Sequence, residues 1–171
     1  KDALIEAVVA DVFAELDAAM VGAGAHLKDP LQRLRAFGLA YVRFAVAHPE
    51  HYRVATMEQR RADAEGPGSH LDRMLRDSAF SHLRETVEAC MAVEIFAAGD
   101  PLPVTLQMWA AAHGIAALLV AKPYLPWGDV EAMVDAVCCS AAAGRAVLDR
   151  LHADPAQPDL RSWLAAHPLP R

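Results

Sequence analysis

Histidine, cysteine and acidic residues supply most of the chemistry open to this sequence, yet their spacing forms no complete catalytic or metal-binding motif. None of the eight histidines follows a glutamate by three residues, so the Glu-x-x-His pair of di-iron bundles is absent, as is His-Glu-x-x-His. Gly-x-Ser-x-Gly and a P-loop are also absent, and Gly22-Ala-Gly24 lacks the third glycine of a dinucleotide fingerprint. The sequence therefore predicts a chain that is not an enzyme and has no metal or other cofactor.

Three cysteines and one glutamate lie on or near apolar helical patterns. Cys90 and the adjacent Cys138 and Cys139 form no Cys-x-x-Cys pair, so reduced, buried thiols in a reducing cytoplasm are the simplest interpretation. Glu94 lies close to the apolar stripe that contains Cys90. It is a candidate for the acidic group of a cavity, and a solvated side chain is the equal alternative.

The composition points to a single all-α domain. The 171 residues are 54% hydrophobic and 22% charged, which is typical of a folded chain. Ala occurs 36 times, against 15 Val, 3 Ile and 3 Thr, and this balance favours helix over strand. The net charge of -6 argues against direct binding to nucleic acid. No segment reads as a signal peptide or a membrane span, so we expect no membrane partner and a cytoplasmic location.

Glycine, proline and acidic capping residues mark the ends of the predicted helices. The apolar residues before and after Ser78 fall on different faces of one continuous helix, which predicts a bend or break there. The first predicted helix contains Lys1 to Met20 and ends near Gly22 and Gly24. The others are predicted from Asp29 to about His48, through Tyr52 and Met57, from Ser69 to about Ala98, Val104 to Ala121, Asp129 to about Leu151, and around Leu160 to Ala165. Residues 1–151 are assigned to the helical domain and residues 152–171 to a tail punctuated by prolines.

An aromatic stripe on the second helix and methionines from four other segments indicate an apolar pocket. Phe37, Tyr41 and Phe44 fall in one narrow sector of an α-helix, and flexible thioethers suit adaptable pockets. The alternative is an ordinary filled core. The predicted ligand-binding residues are Phe37, Tyr41, Phe44, Met57, Met74, Leu83, Val87, Met91, Glu94, Met108, Trp109 and His113. We expect a small apolar or aromatic ligand.

The last two long helices carry stripes that suit helix pairing. Small residues recur at steps of four, three and four in the first of them, and apolar residues recur at heptad spacing in the second. The alternative is an intramolecular hairpin, but the apolar surface exceeds what one partner helix covers. The predicted interface of a homodimer, a four-helix bundle, is formed by Ala110, Gly114, Ala117, Ala121, Val134, Val137, Ala141, Gly144 and Leu148.

Three segments resemble the C-terminal effector-binding domain of TetR/AcrR-family transcriptional regulators, in the subgroup named for a Trp-His-Gly motif. The motif residues are Trp109, His113 and Gly114. Ala36–Ala45, leading into His48-Pro-Glu-His-Tyr52, is similar to the family's central helix and the turn after it, and Lys1–Val8 is similar to the stretch after its helix-turn-helix. The likeness spans roughly residues 1–151.

The resemblance implies an all-α effector domain that dimerises through its last two long helices and binds a small effector among the preceding ones. It implies a transcriptional regulator, expected to be a repressor, whose contact with operator DNA is made only through an N-terminal helix-turn-helix that this sequence lacks. The alternatives are a helical-bundle enzyme or carrier of an apolar ligand, including haem held by His48 or His113, and an interaction module with a filled core.

Overall fold

The computed structural model describes residues 2–57, 78–153 and 159–166, and within these ranges every regular element is a helix. The helices are α1 (Asp2–Gly24), α2 (Pro30–Ala47), α3 (Pro49–Tyr52) with a π-helical turn after it (Arg53–Met57), α4 (Ser78–Ala92), α5 (Pro101–Ala121), α6 (Val130–Ala153) and α7 (Leu160–Ala166). The predicted all-α class is confirmed for the part of the chain that is described.

Aspartate caps set the starts of the long helices, because a carboxylate satisfies backbone N–H groups that have no partner in the first turn. Asp29 Oδ1 accepts a hydrogen bond from Leu31 N at 2.8 Å, and Asp100 Oδ1 accepts one from Leu102 N at 3.0 Å. Asp129 Oδ1 accepts from Ala132 N at 3.0 Å. In α2 and α5 a proline follows the cap, at a position where no N–H is needed.

Two predicted boundaries are wrong by several residues. α4 ends at Ala92 rather than about Ala98, because Glu94 adopts a left-handed φ of 60° that ends the helix. α5 begins at Pro101 rather than Val104, since prolines are compatible with a first helical turn. The predicted start of the preceding helix at Ser69 lies outside the described residues.

α2 is the central helix and packs against α1, α4, α5 and α6. Its buried side chains include Phe37, Tyr41 and Phe44. α5 is long and apolar enough to cross a membrane by length and composition, the one such helix in the described ranges, and core helices of globular domains share these properties. Here α5 packs against α2, α4 and α6.

Two glycines allow close helix approaches at α2. A Cβ at Gly24 would lie 2.6 Å from Phe37 Cε1, and a Cβ at Gly38 would lie 2.7 Å from Cys138 Sγ. The first approach brings the end of α1 against α2, and the second brings α2 against α6. Arg35 with Asp135 and Arg43 with Glu131 form two further links between α2 and α6.

Candidate functional site

A cavity of about 280 Å³ lies among α1, α2, α4, α5 and α6. Its lining is mostly apolar and takes residues from all five helices. The lining residues are Met20, Leu31, Gln32, Leu34, Arg35, Phe37, Gly38, Tyr41, Leu83, Ile95, Met108, Trp109, Ala112, Cys138, Cys139, Ala142, Ala143 and Ala146. The space beside Tyr41 and Trp109 is therefore hollow rather than a filled core.

The mouth of the cavity lies between α2 and α6, where its lining residues are exposed. These are Leu31, Gln32 and Arg35 of α2 and Cys139 and Ala143 of α6. Arg35 is the one charged side chain in the lining, and its guanidinium pairs with the Asp135 carboxylate through two N–H groups. The charge at the mouth is therefore balanced within the protein.

A polar network centred on Tyr41 lies beside the cavity, and two of its members, Tyr41 and Trp109, line the cavity. Trp109 Nε1 donates to Tyr41 Oη at 3.3 Å, and Tyr41 Oη lies 3.3 Å from Tyr52 Oη and 3.1 Å from His113 Nδ1. Tyr52 Oη is closer to His113 Nδ1, at 2.7 Å. The contact between Tyr52 Oη and His113 Nδ1 is therefore the shortest hydrogen bond of the network.

Burial shifts the protonation equilibria in this region toward neutral forms. Desolvation lowers the pKa of His113, and it raises the pKa of Tyr52 well above its ordinary value. Desolvation also raises the pKa of Cys138 to about 11 and raises that of Cys139. At neutral pH the imidazole, the phenol and both thiols are therefore uncharged, and the thiols are weak nucleophiles.

The thiol prediction holds in part. Cys90 is buried and Cys138 half-buried, but Cys139 is exposed at the cavity mouth. The expectation of a third buried thiol is wrong, because residue 139 lies on the outer side of α6. All three cysteines are free.

Five of the twelve predicted ligand-binding residues line the cavity: Phe37, Tyr41, Leu83, Met108 and Trp109. The remaining seven do not line it or have no described side chain. Phe44 and Val87 are buried in the core, and Met91 is half-buried against it. His113 contacts Tyr41, and Glu94 is exposed. The Met57 side chain is not described, and Met74 lies outside the described residues.

Two parts of this region are not among the predicted site residues: the α6 wall of the cavity and the Tyr52 hydroxyl. The α6 wall includes Cys138, Ala142 and Ala146, on a helix whose heptad spacing predicts a dimer interface. Gly38 carried the available signal, since a glycine within a buried helix marks a close approach. Nothing in the local sequence pairs Tyr52 with His113, which are 61 residues apart.

Among the described lining residues there is no histidine, so neither His48 nor His113 is placed to hold a haem in this cavity.

The residues predicted for the dimer interface divide between the surface and the core. In α5, Ala110, Gly114 and Ala121 are exposed and Ala117 is half-buried. In α6, Gly144 and Leu148 are exposed, whereas Val137 and Ala141 pack half-buried against the core and Val134 is 3% exposed. Val134 thus does not lie on the open face of the chain.

Comparison with known proteins identifies the fold family. A family model described as the tetracyclin repressor-like C-terminal domain matches residues 34–141. The solved structure of a protein with unknown function from Rhodococcus sp. RHA1 is similar, with a TM-score of 0.68 and 26% sequence identity over 85% of this chain and 73% of that one. A search of curated proteins found no match. Because the family model spans more than half of the chain, the chain belongs to the family of tetracyclin repressor-like C-terminal domains.

Proposed function

We propose that this chain is the ligand-sensing and dimerisation domain of a transcriptional repressor of the TetR family. The observation that carries the proposal is the largely apolar cavity beside Tyr41 and Trp109, in a chain that belongs to a family of regulator domains. The role is one of binding rather than catalysis, in the cytoplasm, without a membrane partner. Operator DNA would be bound by a separate helix-turn-helix segment joined to α1.

The size and lining of the cavity suit a small apolar or aromatic effector. An apolar cavity of about 150 Å³ accommodates benzene, so this cavity, at about 280 Å³, has space for roughly two such rings. Phe37, Leu83 and Met108 offer the apolar contacts, and Tyr41 and Trp109 offer polar ones.

The effector would act by selecting one position of α1. Met20 of α1 lines the cavity, and Asp17 of α1 lies 2.8 Å from His82 Nδ1 of α4. A ligand that prefers one arrangement of these helices shifts the population toward it. Because operator half-sites lie about 34 to 36 Å apart, a small displacement of α1 in each protomer would take the DNA-binding segments out of register.

The exposed face of α5 and α6 supports a homodimer. Gly114 and Gly144 are exposed, and a Cβ added at either would meet nothing within 4 Å in its own chain. Leu118 and Leu148 are 50% and 37% exposed beside them. Small residues flanked by exposed leucines allow another pair of helices to approach closely.

The Trp-His-Gly subgroup is part of the same proposal. Trp109 and His113 lie one turn apart on α5, and both contact the Tyr41 hydroxyl. Gly114 falls on the exposed face. The motif would thus join the polar network beside the cavity to the dimer interface.

Thermal unfolding in the presence of small aromatic and apolar compounds tests the proposal. A ligand at 100 times its Kd adds about 2.7 kcal/mol to the free energy of unfolding, so the melting temperature rises by several degrees. Ala142→Phe puts a ring into the cavity wall and should abolish the rise, whereas Ala132→Phe, at an exposed position of the same helix, should retain it. A rise that survives Ala142→Phe would place the ligand elsewhere.

A further inference from the structure

We infer that the cavity binds an apolar α,β-unsaturated carbonyl compound and that the Cys139 thiol at its mouth adds to the double bond of that compound. The inference rests on the proposed function, because it assigns the chemical class of the ligand in the same cavity. Its basis is the presence of an exposed thiol, an ion pair and an apolar cavity at one place.

Cys139 is the accessible thiol of this chain. All three cysteines lie in the described residues, where Cys90 is buried, Cys138 is half-buried and Cys139 is exposed. Cys139 lines the cavity at its mouth, across from Arg35 of α2. It is five residues from Gly144, or about 140° around α6, so the thiol lies on a different side of the helix from the proposed dimer contact.

An ion pair holds the thiol at the mouth. Cys139 Sγ donates a hydrogen bond to Asp135 Oδ1 at 3.6 Å, one turn earlier on α6, and the same carboxylate is paired with Arg35. Desolvation and Asp135 raise the pKa of Cys139, whereas Arg35 acts on that pKa in the opposite direction. The resting thiol is therefore protonated, and a guanidinium lies near the sulfur at which a thiolate forms.

The cavity supplies what a protonated thiol lacks, which is a high local concentration of the electrophile. Such a thiol reacts slowly with electrophiles that are free in solution. A compound whose apolar body contacts Leu83 and Met108 in the cavity holds its reactive end near the mouth, so the addition becomes effectively unimolecular. Selectivity therefore comes from the apolar body of the ligand.

The addition is balanced without a further reactant. The thiol proton leaves to water at the mouth, and the sulfur forms a bond to the β-carbon of the ligand. The electron pair of the carbon–carbon double bond moves onto the carbonyl group as an enolate, which takes a proton from water at the α-carbon. The product is a thioether, so the site traps one ligand in each chain and does not turn over.

Three imides separate the apolar body from the electrophile. N-phenylmaleimide has a ring and a reactive double bond, N-methylmaleimide lacks the ring, and N-phenylsuccinimide lacks the double bond. The rate of adduct formation is measured by intact-protein mass spectrometry and divided by the rate of the same maleimide with glutathione. Peptide mapping locates the adduct. The variants are Cys139→Ser, Ala142→Phe in the cavity wall, and Ala132→Phe as the exposed control on α6.

N-phenylmaleimide should modify the parent at Cys139 with a corrected rate about tenfold or more above that of N-methylmaleimide, the effect of burying one phenyl ring. Ala142→Phe should bring the two corrected rates close to equality, whereas Ala132→Phe should keep them apart. Cys139→Ser should lose the fast adduct. N-phenylsuccinimide should slow the reaction of N-phenylmaleimide with the parent, which tests the cavity without a substitution.

Two results would overturn the inference: a first adduct on Cys138, or equal corrected rates of the two maleimides with the parent. In either case, a rise in the melting temperature with N-phenylsuccinimide that Ala142→Phe abolishes would leave the proposed ligand-sensing role standing. If the succinimide does not bind and no compound in the thermal screen acts through the cavity, both proposals fall together.

Discussion

At the scale of single residues, the hydroxyls of Tyr41 and Tyr52 connect the cavity to the turn after α2. Tyr52 is 1% exposed, and its hydroxyl lies 2.7 Å from the half-buried His113 of α5. A buried hydroxyl costs free energy unless it is hydrogen-bonded, so neutral His113 and Tyr52 satisfy one another. The protonation state of His113 therefore matters for stability.

We predict that His113 makes folding less favourable at mildly acid pH. Burial lowers its pKa below the ordinary value of 6.5, so the unfolded chain takes up the proton first as pH falls. The stabilising contribution is complete above about pH 6.5 and is lost as pH drops from there toward the lower pKa of the folded state. Urea unfolding at pH 7 and pH 5 should show a smaller loss for His113→Gln than for the parent.

The control is His51→Gln, which changes an exposed histidine. It should follow the parent, because His113 and its buried contacts with Tyr41 and Tyr52 are present in both proteins. Equal pH dependence in His113→Gln and the parent would contradict the assignment of a buried, neutral imidazole.

At the scale of the helices, α2 forms the central wall of the cavity. Two other walls, α1 and α6, approach α2 closely at glycines. Gly24, the last residue of α1, packs on the Phe37 ring, and Gly38 packs on Cys138. Bidentate pairs of Arg35 with Asp135 and of Arg43 with Glu131 add exposed links between α2 and α6, and exposed ion pairs contribute little to stability. The close approaches at the two glycines therefore determine how near α1 and α6 lie to α2.

Two glycine substitutions in α1 should have opposite effects. Gly24→Ala would place a methyl group 2.6 Å from the ring of Phe37, which is 2% exposed, and such overpacking costs about 1 to 3 kcal/mol. Gly22 is exposed with nothing within 4 Å of an added Cβ, so Gly22→Ala should gain up to about 1 kcal/mol from helix propensity. Thermal melts compare the two. Shifts in the same direction would show that α1 does not hold this position against Phe37.

At the scale of the whole molecule, α5 has one side in the core and another open. Met108, Ala112 and Ile115 are buried, while Gly114 and Leu118 are exposed. This division fits a helix that contributes both to the cavity wall and to the proposed dimer. Ligand binding and dimerisation would then share one rigid element.

We predict that Gly114→Arg yields a monomer. Gly114 is exposed and an added Cβ meets nothing within 4 Å in its own chain, so the fold should tolerate the change, while a charged side chain would not fit between closely packed helices. Light scattering after size exclusion should give about 18.4 kDa, the mass of one chain. Gly22→Arg, also at an exposed helical glycine, should stay at twice that mass. A dimer of Gly114→Arg would place the interface elsewhere.

The sequence by itself determined the helices and the class of fold. Asp29-Pro30 and Asp129 mark helix starts by local chemistry, and the apolar period of α2 fixes which of its side chains turn inward. These signals depend on residues within one or two turns of one another, so no tertiary information is needed to read them.

Only the tertiary structure decided which apolar residues surround the cavity and which fill the core. Phe44 and Tyr41 share one face of α2, yet Tyr41 lines the cavity and Phe44 does not. The apolar pattern of α6 favours a dimer interface, but the contact of Gly38 with Cys138 places part of that helix against its own chain. The physical reason is that a hydrophobic pattern specifies burial but not a partner, because the hydrophobic effect has no direction, and contacts such as Tyr52 with His113 form only when distant segments meet.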